Sequence, residues 1–382
     1  MKILQVATLN RPIGREIGYG PIESVIYNID RGLCKLGHES IVACSGDSHI
    51  TGSKFATIEK SFSEYWSKNT HEQQNNMEKH LALSLERAVE GDIDIIHMHD
   101  AVMLEFIFRG VLKSPVPIVM TLHVPAGEEG AFKQWNKLLS ASSGIYFVPI
   151  SEFQRKQHEG LVNLQEIIHH GIDVEDFPFN SSQGKQDYLF SIGRITRDKG
   201  QDKAIEIARK TGSRLILAGN VQNKKKDRAF YKKLKKTIDL VADPGESSDA
   251  NYYEQVMKPI LDSDQQIIYI GEVNSAQKKH WYNHARATIF PIQWGEPFGL
   301  VLIESMACGT PVIALNKGSV PEIVVHGKTG YVLDTAEEMI DAVKAINAID
   351  PAECRRHIKE NFSIESMAGK YIDLYQFIKE KK

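Results

Sequence analysis

Two periods of apolar residues take turns along this chain. Residues 2–8, KILQVAT, are a short apolar run that predicts a buried strand. A glycine-containing loop follows, from Ile13-Gly14 to Gly18-Tyr19-Gly20. Ile22, Val25, Ile26, Ile29, Leu33 and Leu36 then recur at helical spacing, and Gly37 ends that helix before the strand HESIVACSG. A polar stretch from about Ser53 to Glu90 reads as helical, with Trp66, Met77, Leu81, Leu83 and Leu85 as its core contacts. Strands are predicted at Asp94–Asp100, at PIVMTLHVP and at 145–150, with Ser151 capping a helix. Residues 167–173 read as the last strand of this half and its turn.

The stretch PFNSSQGK, 178–185, is polar and predicts a linker. The same grammar then restarts. YLFSIG is a strand, RITRDKG a loop, QDKAIEIARKTG a helix and RLILAG a strand. A long polar insertion runs from about Asn220 to Asp264, with DPGESSDANYYE as a loop or short hairpin. IIYIGEV, ATIFPI, TPVIAL and TGYVL are further strands with helices between them, and an amphipathic helix closes the chain at 363–382. Strands alternating with helices in two sets predict an α/β protein of two Rossmann-like parallel-sheet domains. They would span 1–177 and 186–362. In such sheets ligands sit beyond the carboxyl ends of strands, so the two sets of strand ends could face one cleft.

Composition narrows this reading only a little. The 382 residues are 42% hydrophobic and 25% charged, which suits an ordinary soluble protein of about two domains. A net charge of −3 gives no basic excess for duplex nucleic acid. The lysine runs 224–226 and 232–236 read as a solvated helix face or as a contact for anionic lipid or acidic substrate. The four cysteines have neither zinc nor disulfide spacing, and no apolar run is long enough for a membrane span. The expected location is the cytoplasm, with peripheral attachment at the inner membrane surface as the alternative.

The densest candidate chemistry lies in PIQWGEPFGLVLIESMACGTPVIALNKGSV, residues 291–320. Glu296 sits in a turn where Pro297-Phe298-Gly299-Leu300 should open a helix. The amides of Phe298, Gly299 and Leu300 would then form an anion site. Glu304, about two turns in, could accept hydroxyl hydrogen bonds. Arg194 and Lys199 in GRITRDKG are either surface cations or a clamp for a diphosphate. His123 closes a strand and is either a structural histidine or a donor to a sugar hydroxyl or phosphate. His97 and His99 would share one side of a strand, but no third ligand has zinc spacing. No metal site is expected.

GEPFGLVLIESMACGTPVIA, followed by GSVPEIV and GKTGYVL, resembles the donor-site block of retaining glycosyltransferases of family 4 (glycosyl transferases group 1), which have the GT-B fold. SIGRITRDKG is similar to that family's diphosphate loop. The stretches LNRPIGREIGYGPIE, DIIHMHD, TLH, ISEFQR and HHGID match in order. The resemblance implies metal-independent transfer of a hexose or N-acetylhexosamine from a nucleoside-diphosphate sugar to a hydroxyl acceptor, with no cofactor. A UDP-sugar is the leading donor and GDP-mannose the next. It implies that Arg194 and Lys199 hold the diphosphate, Glu304 the ribose and Glu296 the hexose. His123 would lie beside the reacting sugar, and the loop at Glu272-Val273 would meet the base. Gly20 and Asn220 join the donor-binding residues. The last helix would cross back to the first, acceptor-side domain.

One departure from the family pattern is Pro21 directly after Gly20, which removes an amide from the first loop. The acceptor, a small molecule, a glycan or a lipid-linked group, should meet Tyr19, His97 and Asp100. A sugar-nucleotide epimerase and a non-catalytic sugar-nucleotide-binding protein are the alternative functions.

Overall fold

The computed structural model describes residues 1–15, 20–62, 71–100, 114–125, 144–181, 184–246, 249 and 251–381. The first half is built from β1 (Lys2–Val6), α1 (Pro21–Lys35), β2 (Glu39–Ser45), β3 (Ser53–Ile58), α2 (His71–Val89), β4 (Ile95–Met98), β5 (Ile118–Thr121), β6 (Ile145–Val148) and α3 (Glu152–His158). The second begins with β7 (Gln186–Ile192), α4 (Gln201–Thr211), β8 (Arg214–Ala218), α5 (Lys225–Leu234), β9 (Leu240–Val241), β10 (Ile267–Tyr269), α6 (Ser275–His284) and β11 (Ala285–Phe290). It continues with α7 (Leu300–Ala307), β12 (Val312–Leu315), β13 (Gly330–Leu333), α8 (Ala336–Ala345) and α9 (Pro351–Asn361), before the final helix α10 (Ile364–Glu380). The described residues divide into two units. One is Met1–Ile172 with Phe362–Lys382; the other is Asp173–Asn361.

The first unit holds a parallel sheet in the order β3-β2-β1-β4-β5-β6. Its central strands are buried almost throughout, as a sheet covered by helices on both faces requires. The order reverses direction between β1 and β4, so their carboxyl ends open a crevice. The final helix belongs to this unit. The chain re-enters through a bridge between Ile172 and Ser363, and the Ser363 hydroxyl caps α10. Helix α10 then packs on α1 at Gly32, where an added Cβ would lie 2.7 Å from Ala368 Cβ.

The second unit holds a parallel sheet in the order β13-β12-β11-β7-β8-β10-β9. Its direction of growth reverses between β7 and β11. Glycines follow three neighbouring strands, at Gly193, Gly219 and Gly271. Gly219 (φ 144°) donates to Gly271 O at 2.7 Å, and a Cβ on it would fall 1.8 Å from Gly193 O. Backbones therefore close on one another at the carboxyl edge with no side chains between them.

Three expectations change. The polar stretch after Ser53 opens with β3 rather than helix. It is an edge strand beside β2, and largely exposed, so it lacks an apolar signature. Residues 167–173 form no strand; β6 is bridged instead at Leu164, and Ile172 makes a single bridge to Ser363. The helix expected at Pro297 starts at Leu300, with Gly299 as its cap at φ 85°, so Glu304 lies about one turn in. Of the polar residues 178–185, those described belong to the second unit, where Lys185 Nζ donates to Asn283 O, Cys308 O and Thr310 Oγ1 at 2.6–3.0 Å.

Candidate functional site

In the second unit the loops after β7 and β11 meet at the switch point of the sheet. Gln293 N donates to Asp198 O at 2.8 Å, and Gly200 (φ 71°) lies so near Pro291 that a Cβ would sit 2.0 Å from its carbonyl oxygen. This packing brings Lys199 to Glu296. The Lys199 ammonium donates to Glu296 Oε2 at 2.6 Å, and Trp294 Nε1 donates to the same oxygen at 3.2 Å. The ammonium also lies 5.7 and 5.6 Å from the ring centres of Phe290 and Trp294. A third loop locks Glu296 from behind. Ser319 N donates to Glu296 O at 2.9 Å, and Ser319 Oγ donates to Phe298 O at 2.7 Å. Gly318 (φ 62°) allows this approach, since a Cβ there would stand 2.3 Å from the backbone N and O of Glu296.

Glu304 lies on α7, nearly buried at 7% exposure. Lys278 from α6 donates to its Oε1 at 2.5 Å and the Tyr282 hydroxyl to its Oε2 at 3.3 Å. The amides of Gly299 and Leu300 stand at the very start of α7, where the helix itself supplies no acceptor. Arg194 reaches Gln222 Oε1 at 3.5 Å through Nη1, while its Nε is covered from solvent with no hydrogen-bond partner among the described residues. Asn220 Oδ1 is in the same condition, and its backbone carbonyl accepts from Ile195 N at 2.8 Å. Covered polar atoms without partners cost stability unless something else meets them, so these two mark a place for a polar ligand. Glu272 and Val273 follow Gly271 at the end of β10, just before the Asn274–Gln277 capping box that starts α6.

In the first unit four histidines lie together. His97 and His99 have ring centres 4.2 Å apart, as expected for one side of a strand. His99 Nδ1 lies 3.1 Å from His123 Nε2, so one nitrogen of the pair carries the shared proton. His123 stacks on His170 at 5.3 Å. Burial pushes His97 and His123 down to about 3, and His99 and His170 well below their ordinary value, with neighbouring histidines adding to the shift of all but His123. All four are neutral at pH 7. A neutral His123 can donate to a hydroxyl or phosphate through one nitrogen only.

His97 is placed differently from expectation. It is fully buried, and both ring nitrogens are engaged within the unit: Nδ1 with the Tyr375 hydroxyl and Nε2 with Thr121 Oγ1, each at 2.7 Å. Thr121 in turn meets the Tyr371 hydroxyl at 2.7 Å. His97 therefore has no free atom for an acceptor; it ties β4 and β5 to α10. Asp100 stays half-buried past the end of β4. Tyr19 lies outside the described residues. Gly20 caps α1 and Pro21 takes the first helical position, where the missing N–H has no acceptor within the helix. Glu23, not singled out from the sequence, is buried and accepts from the Thr8 hydroxyl at 2.7 Å; burial raises it above the usual carboxylate range. Lys278, Tyr282, Trp294 and Gly318 were also missed, because each matters only through its partner in the folded chain.

Among the described residues, no three His, Cys, Asp or Glu converge as a metal-holding group. No helix among them is long and apolar enough to cross a membrane.

Comparison with known proteins adds to this geometry. Residues 173–362 match the family model for glycosyl transferases group 1, and residues 22–176 match that for glycosyltransferase family 4. The N-acetyl-alpha-D-glucosaminyl L-malate synthase of Bacillus anthracis is 35% identical over 88 residues, 21% of this chain and 23% of that enzyme. The match thus spans under a quarter of that relative's length. An uncharacterized glycosyltransferase of Methanocaldococcus jannaschii is 22% identical over 325 residues, covering 75% of this chain and 76% of its own. Among solved structures, Anabaena HepE in complex with UDP-glucose is similar with a TM-score of 0.69. It is 15% identical, over 98% of this chain and 99% of that one. At that identity the likeness is one of fold.

Proposed function

The chain belongs to the group 1 glycosyltransferases, with a family 4 amino-terminal half, and from that premise we propose the reaction it performs. It transfers a hexose or N-acetylhexosamine from a nucleoside-diphosphate sugar to a hydroxyl acceptor, without a metal ion and with retention at the anomeric carbon. A UDP-sugar is the leading donor, in keeping with the UDP-glucose bound by the Anabaena protein of the same fold. GDP-mannose is the next.

The observation that carries this reading is the Lys199–Glu296 pair, held at the switch point of a parallel sheet. Without donor, each neutralises the other. With donor, Lys199 and Arg194 turn to the diphosphate, and Glu296 accepts hydrogen bonds from the hexose hydroxyls. The amides of Phe298, Gly299 and Leu300 support the same group, and Glu304 takes the ribose. Asn220, Glu272, Val273 and Gly20 complete the donor contacts. His123, half-exposed and neutral beside His99, donates to the reacting sugar.

In the step itself the bond from the anomeric carbon to the diphosphate oxygen breaks, and a bond from the same carbon to the acceptor oxygen forms. The departing phosphate oxygen takes the acceptor's proton on the face it leaves from. Charge builds on the diphosphate, so fixed cations there stabilise the transition state, each by about 2.7–4 kcal/mol.

Calorimetric titration with UDP in EDTA tests the donor assignment. Binding should persist with the metal chelated, and Arg194→Ala and Glu304→Ala should each weaken it by about tenfold or more, as loss of a charged hydrogen bond does. Failure of UDP and GDP alike to bind, or binding abolished by EDTA, would sink the reading.

A further inference from the structure

The second unit carries a strongly basic surface that the proposed reaction does not use. The connection from β8 to β10 takes 48 residues, against 21 for β7 to β8 and 21 for β11 to β12. Its first part, Lys224 to Lys236, holds seven lysines and Arg228 against one acid, Asp227. These thirteen residues carry a net charge of +7, so the remainder of a chain of net charge −3 carries −10.

The fold turns this charge outward. On α5, Asp227 and Leu234 are buried and Tyr231 is half-buried, a stripe at helical spacing that faces the domain. Tyr231 packs on Tyr269 with ring centres 5.4 Å apart. All eight cations are exposed. None of them forms an ion pair among the described residues, whereas Lys2, Arg87, Arg209, Lys278, Arg355 and Arg356 all do. Eight like charges crowded without counter-ions repel one another, and a polyanionic surface relieves that repulsion.

We propose that α5 and the turn after it dock this protein on an anionic lipid bilayer. Lysine outnumbers arginine seven to one, which suits diffuse attraction to a charged headgroup layer rather than forked reading of phosphates or bases. Of the two aromatics on the helix, Tyr231 is spent on Tyr269 and Phe230 is half-buried, so neither stands out as a stacking platform for bases. The helix that carries most of this charge is about 15 Å long, and the acidic remainder of the chain would repel a longer polyanion laid across it. The docking helix begins beside the proposed donor loops, since Gln222, two residues before Lys224, contacts Arg194. Bilayer and donor edge would therefore be neighbours within this unit. The inference does not depend on which donor is used.

Co-sedimentation of the full-length protein with phosphatidylcholine vesicles, with and without phosphatidylglycerol, tests it. Wild type should partition about tenfold or more in favour of the anionic vesicles, and lose that preference as salt shortens the screening length. The variant Lys232→Gln, Lys233→Gln, Lys235→Gln, Lys236→Gln should lose the preference while UDP binding and melting temperature stay at wild-type values. The matching four-arginine variant, which keeps the charge, should retain it, and it decides the matter if the glutamine variant melts early. Equal partition of wild type onto neutral and anionic vesicles would overturn the proposal. So would undiminished anionic binding by a folded glutamine variant. A wild-type preference for duplex DNA over anionic vesicles at equal salt would also overturn it, and would assign the helix to nucleic acid.

Discussion

Lys199 Nζ and Glu296 Oε2 lie 2.6 Å apart, although they are 97 positions apart in the chain. The pair is 16% and 12% exposed and stands where the loops after β7 and β11 cross. Because Glu296 holds Lys199 before any ligand arrives, changing either residue acts on both. Lys199→Met should lower kcat/KM for sugar transfer by about 10²–10³, corresponding to loss of one fixed charge on the leaving group. Glu296→Gln should behave differently. It frees the ammonium, so UDP alone should bind at least as tightly as to wild type, while transfer of the hexose falls. Calorimetry with UDP and a turnover assay on the same samples separate the two; weaker UDP binding by Glu296→Gln would contradict the shared-cation account.

The Lys278–Glu304 pair predicts a stability effect as well as a binding effect. Glu304 is almost buried, so Lys278→Met leaves a carboxylate without its counter-charge. The cost should be about 1–3 kcal/mol, below that of a fully buried pair because Lys278 is 21% exposed. Lys278→Met with Glu304→Gln should recover part of the loss in urea unfolding, though not the affinity for UDP. No coupling between the two changes would show that the pair contributes nothing to folding.

Gly318 acts on the site through the backbone of Glu296. Alanine there meets both a positive φ and the backbone of Glu296 at 2.3 Å. Gly318→Ala should destabilise by at least about 1 kcal/mol and reduce turnover more than UDP affinity. Wild-type turnover in this variant would mean that the loop can shift freely, against the locked geometry.

The buried histidines fix a pH dependence. His97 titrates near 3 and His80 near 4 in the folded protein because burial disfavours their charged forms. Both stay neutral when folded, while the unfolded chain takes up protons as pH falls through about 6.5. Their contribution is therefore complete above about pH 6.5. Below it, each histidine loses about 1.4 kcal/mol per pH unit, down to its folded value. Urea unfolding at pH 7, 6 and 5 should show that decline; constant stability over this range would contradict it.

Much of this was legible in the sequence, for identifiable reasons. Central strands such as β1 and β4 are buried on both faces and announce themselves as apolar runs, and α1 shows a clean apolar stripe. The loops at Arg194–Lys199 and Glu296–Glu304 were visible because their glycines and charged residues lie close together in the chain. Strand β3 was hidden, since an edge strand needs few apolar residues. His97 looked like a ligand contact because a histidine at a strand end is ambiguous until the neighbouring helix is placed. Here Tyr371 and Tyr375 of α10 decide it, the second of them 278 residues on. Lys278, Trp294 and Gly318 have meaning only beside Glu304 and Glu296, a relation that no local pattern encodes.

The central claim is sugar transfer from a nucleoside diphosphate with retention and without metal. Its most direct test is proton NMR of the enzyme incubated in EDTA with UDP-glucose, UDP-N-acetylglucosamine or GDP-mannose and a pool of hydroxyl acceptors. The account predicts release of a nucleoside diphosphate from one of these donors, and a first-formed product with the donor's α configuration. A β-configured first product, or a donor consumed only when divalent metal is restored, would contradict it.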